Sequence, residues 1–171
     1  PAAVPALSKS LEKGKESTVR CKAAEALGAI GVPEAAAVLS NALRKDKAAE
    51  VRQAAAKALG SCADSKVASE LAAALARESE PSVREGVTEA LGHFDSPEVV
   101  SALMLALEDG SRQVRINAIE ALGCTGSTNA TMPIILAAKT DPRSSIRSAA
   151  VGALGMLCDP RAVPALEGFV R

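Results

Sequence analysis

The segment VRQAAAKALG (51–60) decides the fold. Val51, Ala55, Ala58 and Leu59, with Cys62 just beyond, recur at the three- and four-residue steps that keep side chains on one face of a helix. The same frame returns as VRCKAAEALG (19–28), VREGVTEALG (83–92), VRINAIEALG (114–123) and IRSAAVGALG (146–155). Its period is about 32 residues throughout. A second helix precedes it, carried by Val38, Leu39, Ala42 and Leu43. We call the earlier helix of each unit helix A and the later one helix B. Ser96-Pro97 and Asp159-Pro160 read as an N-cap followed by proline at the first helical position, and Asp141-Pro142 is expected to open a helix B in the same way. The glycine after each Leu either ends helix B or lets a neighbour approach closely. No apolar residues alternate with period two, so no strand is expected.

A two-helix unit of about 32 residues cannot bury its apolar face alone, whereas stacked units share one core. The expected fold is therefore an all-α solenoid of about five helix pairs plus a terminal helix, eleven helices in all. The expected organisation is a single array over 1–171, with approximate repeats 1–31, 32–63, 64–95, 96–126, 127–158 and a partial 159–171. The absence of Trp and Tyr, with only two Phe in 171 residues, suits thin layers of Ala, Leu and Val. Twenty basic and twenty acidic residues cancel, so no global field attracts nucleic acid or an anionic membrane. No apolar run reaches the roughly 18 residues of a membrane span, and no signal peptide is visible. Cys21, Cys62, Cys124 and Cys158 form no C-x-x-C pair, and are expected to be reduced, mostly buried side chains of a cytoplasmic protein.

The segments EALGAIGVPEAAAVLSNAL (25–43) and GALGMLCDPRAVPALEGFV (152–170) resemble HEAT repeats of the phycobilisome-lyase type, and the resemblance extends over nearly the whole chain. It implies an α-solenoid whose helices B line the concave face. The chain begins within a first helix and ends within a sixth helix A, as expected of a section of a longer array or an array with a terminal cap.

Six residues before an anchor arginine stands an acid: Asp46 before Arg52, Glu78 before Arg84, Asp109 before Arg115 and Asp141 before Arg147, whereas Gly14 precedes Arg20. HEAT arrays carry an Asp/Arg ladder of this kind, and the resemblance implies one here. Each Arg having its own acid favours ion pairs that lock turns together over an arginine stripe that grips phosphates.

The outward positions of helix B include Gln53, Lys57, Glu85, Glu89, His93, Ile116 and Glu120. The carboxylates in the middle of this stripe, continued by Ile116, Cys124 and Met156, suit a basic or amphipathic protein segment. Residues 1–64 hold ten Lys/Arg and seven Asp/Glu, and residues 65–171 hold ten and thirteen, a bias in the same direction. Stacking aromatics and a basic stripe are both missing, so no nucleic-acid partner is expected.

A HEAT-repeat enzyme, deoxyhypusine hydroxylase, binds two irons through His-Glu pairs that follow the anchor dipeptide. The corresponding pairs here are Cys21-Lys22, Gln53-Ala54, Glu85-Gly86, Ile116-Asn117 and Ser148-Ala149, so no metal or other cofactor is expected. The single histidine, His93, has Glu89 one turn before it, which suits a capping residue better than a general base. The sequence reads as a non-enzymatic scaffold that binds another protein on its helix-B face. The resemblance to bilin lyase subunits offers a second reading, a lyase or chaperone component. A third is an auxiliary repeat domain of a larger enzyme.

Overall fold

The computed structural model describes residues 3–62 and 64–169. The outermost residues of the first and last repeats, and Ala63, lie outside this description. Eleven α-helices occur among the described residues: α1 (Val4–Lys13), α2 (Ser17–Ile30), α3 (Ala36–Lys45), α4 (Ala49–Leu59), α5 (Ser65–Arg77), α6 (Pro81–Leu91), α7 (Pro97–Ala106), α8 (Arg112–Cys124), α9 (Thr131–Thr140), α10 (Ser144–Leu157) and α11 (Val163–Phe169). Short 3-10 turns lead into α3, α9 and α11. No strand is present among these residues, and the fold is an all-α solenoid. No described helix is long and apolar enough to cross a membrane.

The chain divides into two compact units with the boundary at Phe94 and Asp95. The first holds α1 to α6. Its odd-numbered helices are helices A, its even-numbered ones helices B, and each B helix packs on the next: α2 on α4, and α4 on α6. The second holds α7 to α11, with α8 packed on α10 in the same manner. The anchors Val51, Val83, Val114 and Ile146 are wholly buried, as are Leu59, Leu91 and Leu122 of the Leu-Gly pairs. The core is thus built from one apolar face per helix, and helix–helix contact takes the place of large rings.

Three repeat glycines, Gly28, Gly60 and Gly123, sit where the next helix B comes nearest. A Cβ on Gly28 would stand 2.7 Å from the Cα of Ala58, and one on Gly123 would stand 3.0 Å from that of Ala153. One on Gly60 would meet the Cα of Ala90 at 3.1 Å. Gly28 and Gly123 lie inside their helices, so there the glycine serves close approach and does not stop the helix.

Helix starts follow local chemistry. Ser96 Oγ accepts from the Val99 N–H, and Asp64 from the Lys66 N–H. Asp159 caps the 3-10 turn before α11 by accepting from the Arg161 N–H. The expected opening of a helix B at Asp141-Pro142 is corrected: α10 begins at Ser144, and Asp141 folds the preceding turn by accepting from the Arg143 N–H. A second correction concerns the cysteines. Only Cys62 is buried; Cys21 is half-buried and Cys124 and Cys158 are exposed, because they occupy outward positions or the helix end.

Candidate partner-binding site

The turns between helices A and B carry the charge ladder, and its pairing differs from the one expected from the sequence. Arg52 does not bond the carboxylate of Asp46, six residues before it. Its Nη1 donates to the Asp46 backbone carbonyl at 3.0 Å, while Nε and Nη2 grip Glu78 of the following repeat at 2.9 and 3.1 Å. Asp46 is held instead by Arg20, through Nε at 2.7 Å and Nη2 at 2.8 Å. Arg115 likewise reaches Asp141, at 3.1 Å, and donates to the Asp109 carbonyl. Arg84 donates to the Glu78 carbonyl and Arg147 to the Asp141 carbonyl in the same way. Among the described residues Arg147 meets no carboxylate.

Each acid also accepts a backbone N–H two residues ahead, as Asp46 does from Ala48 and Glu78 from Glu80. One carboxylate therefore folds its own turn and binds the preceding repeat. The Arg20 guanidinium holds the Asp46 carboxyl below the usual carboxylate range. Burial pushes Glu78 up, but the Arg52 bond and the backbone N–H groups outweigh it, so its net shift is downward. With their guanidiniums in these bonds, Arg20, Arg52 and Arg115 do not form a phosphate-gripping stripe.

The helix-B face is where side chains remain for a partner. In the first unit Lys57 of α4 meets Glu89 of α6, with Glu85 one turn before Glu89 and His93 just after α6. Lys57 Nζ stands 2.7 Å from Glu89 Oε2, so the acidic character expected there is in part locally balanced. Gln53 lies over Gly86, whose missing side chain makes the room. His93 is exposed and packs beside Gly60, a surface position with no metal-ligand companion. No group of three or more His, Cys, Asp or Glu side chains suited to a metal occurs among the described residues. Ile116 and Glu120 occupy outward positions on α8 of the second unit.

Between α2 and α4 runs an open groove of about 510 Å³. Gly28, Ala29, Ala54 and Ala58 form its small-residue floor, and Glu25, Glu50 and Lys57 stand along it. Of the stripe expected from the sequence, Gln53 and Lys57 line this groove, whereas its acidic centre at Glu85 and Glu89 lies one repeat later; the Gly28 and Ala58 that shape the groove belong to the repeat frame. Burial raises the thiol pKa of Cys21, which also lines it.

The sequence model described as HEAT repeats matches residues 1–60, 37–109 and 100–171. Among solved structures, the chain is similar to the complex of CpcE and CpcF of phycocyanin lyase from Nostoc sp. PCC7120, at 20% identity and a TM-score of 0.69, over 89% of this chain and 98% of that one. It is also similar to a designed armadillo repeat protein in complex with the peptide (KR)4, at 16% identity and a TM-score of 0.66, over 91% of this chain and 82% of that one. Human deoxyhypusine hydroxylase is a further neighbour, at 23% identity and a TM-score of 0.60, over 91% of this chain and 74% of that one. At these identities the likeness is one of fold. No curated protein matches the sequence.

Proposed function

Because the chain belongs to the HEAT-repeat family, we propose that it is a non-catalytic scaffold whose helix-B face holds a basic segment of another protein. The observation that carries this reading is the surface over α2, α4 and α6. Its small-residue floor admits a partner side chain, and Glu25, Glu50, Glu85 and Glu89 offer carboxylates along it. Repeat-built surfaces of this kind suit extended segments. The similar designed armadillo repeat protein is seen with a Lys/Arg peptide, which is the same pairing of fold and ligand charge.

The ion pair of Lys57 with Glu89 does not oppose this role. Both side chains are about half exposed, so the pair contributes roughly 0–1 kcal/mol and exchanges readily for a partner's cation. The test is fluorescence anisotropy with a labelled (Lys-Arg)4 peptide. The expected result is binding that weakens as salt rises and is lost in a Glu85→Lys/Glu89→Lys variant of unchanged helicity. Equal binding by parent and variant would overturn the assignment. Capture of a tetrapyrrole-bearing partner would replace it with the bilin lyase reading.

A further inference from the structure

The outer surface of the second unit differs from that of the first at one repeated position. Leu39, Leu71, Leu103 and Ile134 are wholly buried and occupy equivalent places in α3, α5, α7 and α9. Two residues further on stand Asn41, Ala73, Leu105 and Leu136. In the first unit this place therefore holds a polar and a small residue. In the second it holds two leucines, 78% and 57% exposed. Met132, 58% exposed, lies one turn before Leu136 on the same helix face. Scattered exposed apolar residues need no explanation, but large ones repeated on successive helices mark an interaction surface.

Beside these residues lies a groove of about 460 Å³, contained within the second unit. Met104 and Leu107, and across from them Pro133, Leu136 and Ala137, supply its apolar walls. Its polar lining includes Glu108, Asp109, Asp141 and the guanidinium of Arg115. Arg115 is occupied by Asp141. Glu108 is exposed and enters no ion pair among the described residues.

From this combination we infer that the α7–α9 surface docks an amphipathic helix of another protein, with Leu- or Met-type side chains at three- and four-residue spacing and Lys or Arg on its flank. A groove with apolar walls from two helices is the geometry that a third helix fills. The Met side chains adapt to the incoming residues. A basic flank meets Glu108. This surface is on helices A and is separate from the helix-B surface of the proposed function.

The probe is a fluorescein-labelled helical peptide of repeated LKKLLKL, titrated with the full chain and read by anisotropy. Binding is expected, and Leu105→Ala/Leu136→Asn, which installs the residues of the first unit, should weaken it by about tenfold or more. These side chains are exposed, so helicity should stay unchanged. Glu108→Lys should weaken binding by about threefold or more, and a peptide with Glu in place of Lys should bind more weakly than the Lys peptide. Because the helix-B surface is also proposed to hold basic segments, the titrations are made in a Glu85→Lys/Glu89→Lys background, where binding should persist and the leucine and Glu108 substitutions should act as stated. No binding of the Lys peptide, equal binding by the double-leucine variant, or equal binding of the Glu peptide would overturn the inference. Loss of binding in the Glu85/Glu89 variant would do the same. A dimer seen by sedimentation and abolished by the leucine substitutions would assign the surface to a second copy instead.

Discussion

Arg52 and Glu78 are bonded through two parallel N–H···O contacts although they belong to successive repeats, and Asp46, the acid six residues before Arg52, belongs to Arg20. Within the first unit the ladder thus ties one repeat to the next, with the carbonyl contacts fixing the guanidinium in its own turn.

Truncation of a rung should be costly. The Arg52 and Glu78 side chains are 16% and 12% exposed. Arg52→Ala leaves Glu78 without its partner and should lower stability by about 1–3 kcal/mol in urea unfolding. Arg147→Ala removes only contacts to two carbonyls and should lower it by less. Equal losses would mean that the inter-repeat carboxylate contributes little.

The same bonds set an acid dependence. Asp46 and Glu78 titrate below their ordinary values in the folded chain. Their contribution is therefore present above the unfolded pKa, about 4, and is lost as pH falls through the lower folded values. Arg161, Thr131 and a backbone N–H depress Asp159 further. Unfolding midpoints should fall below pH of about 4, and Arg52→Ala should flatten that slope by removing the Glu78 share.

Glycine substitutions should change sign with position. A Cβ added at Gly155 would have no atom within 4 Å, and the residue lies inside α10, so Gly155→Ala should add about 0.5–1 kcal/mol through helix propensity. Gly28→Ala drives its Cβ into the backbone of Ala58 and should cost about 1–3 kcal/mol. Thermal midpoints of the two variants should move in opposite directions.

Lys57→Ala frees the Glu89 carboxylate. A (Lys-Arg)4 peptide should then bind more tightly than to the parent, with the difference shrinking at high salt. Weaker binding would show that Lys57 itself contacts the peptide.

Thiol labelling should follow burial. Cys124 and Cys158 should react with a disulfide reagent first and Cys21, half-buried with a raised thiol pKa, more slowly. Cys62, buried, should react only on unfolding.

The helices are legible in the sequence because the frame from Val51 to Gly60 repeats with its apolar spacing intact. The ladder's partners are not, for an arithmetical reason. An acid that stands six places before one arginine also stands a full repeat less six after the preceding one, as Glu78 does for Arg84 and Arg52. Spacing alone cannot separate the two pairings. One clue is present: Arg20 keeps its place although Gly14 stands where its own acid would be. The Lys57–Glu89 pair follows the same logic, since the two residues hold equivalent positions one repeat apart. Cys124 and Cys158 escape a reading by composition, which assigns small apolar side chains inward whatever their helical phase. Leu105 and Leu136 escape a reading of helix A by its buried stripe, because they lie on the opposite face.

The ladder makes whole units exchangeable. A guanidinium that looks forward and a carboxylate that looks back leave the same two chemical ends on any excised repeat that carries both, as those of Arg52 and Arg115 do. Duplicating the stretch from one anchor to the next would therefore create new rungs without leaving a mismatched charge at the seam, provided the Gly–Ala seat is kept. Length changes smaller than a unit fit only in the turns. Leu75 and Leu107 keep the full repeat spacing, whereas Asp109 stands one place short of it from Glu78. The missing residue falls just before the acid, where a turn can shorten without rotating either helix. By this grammar the chain can grow or shrink by unit duplication more safely than by scattered insertion.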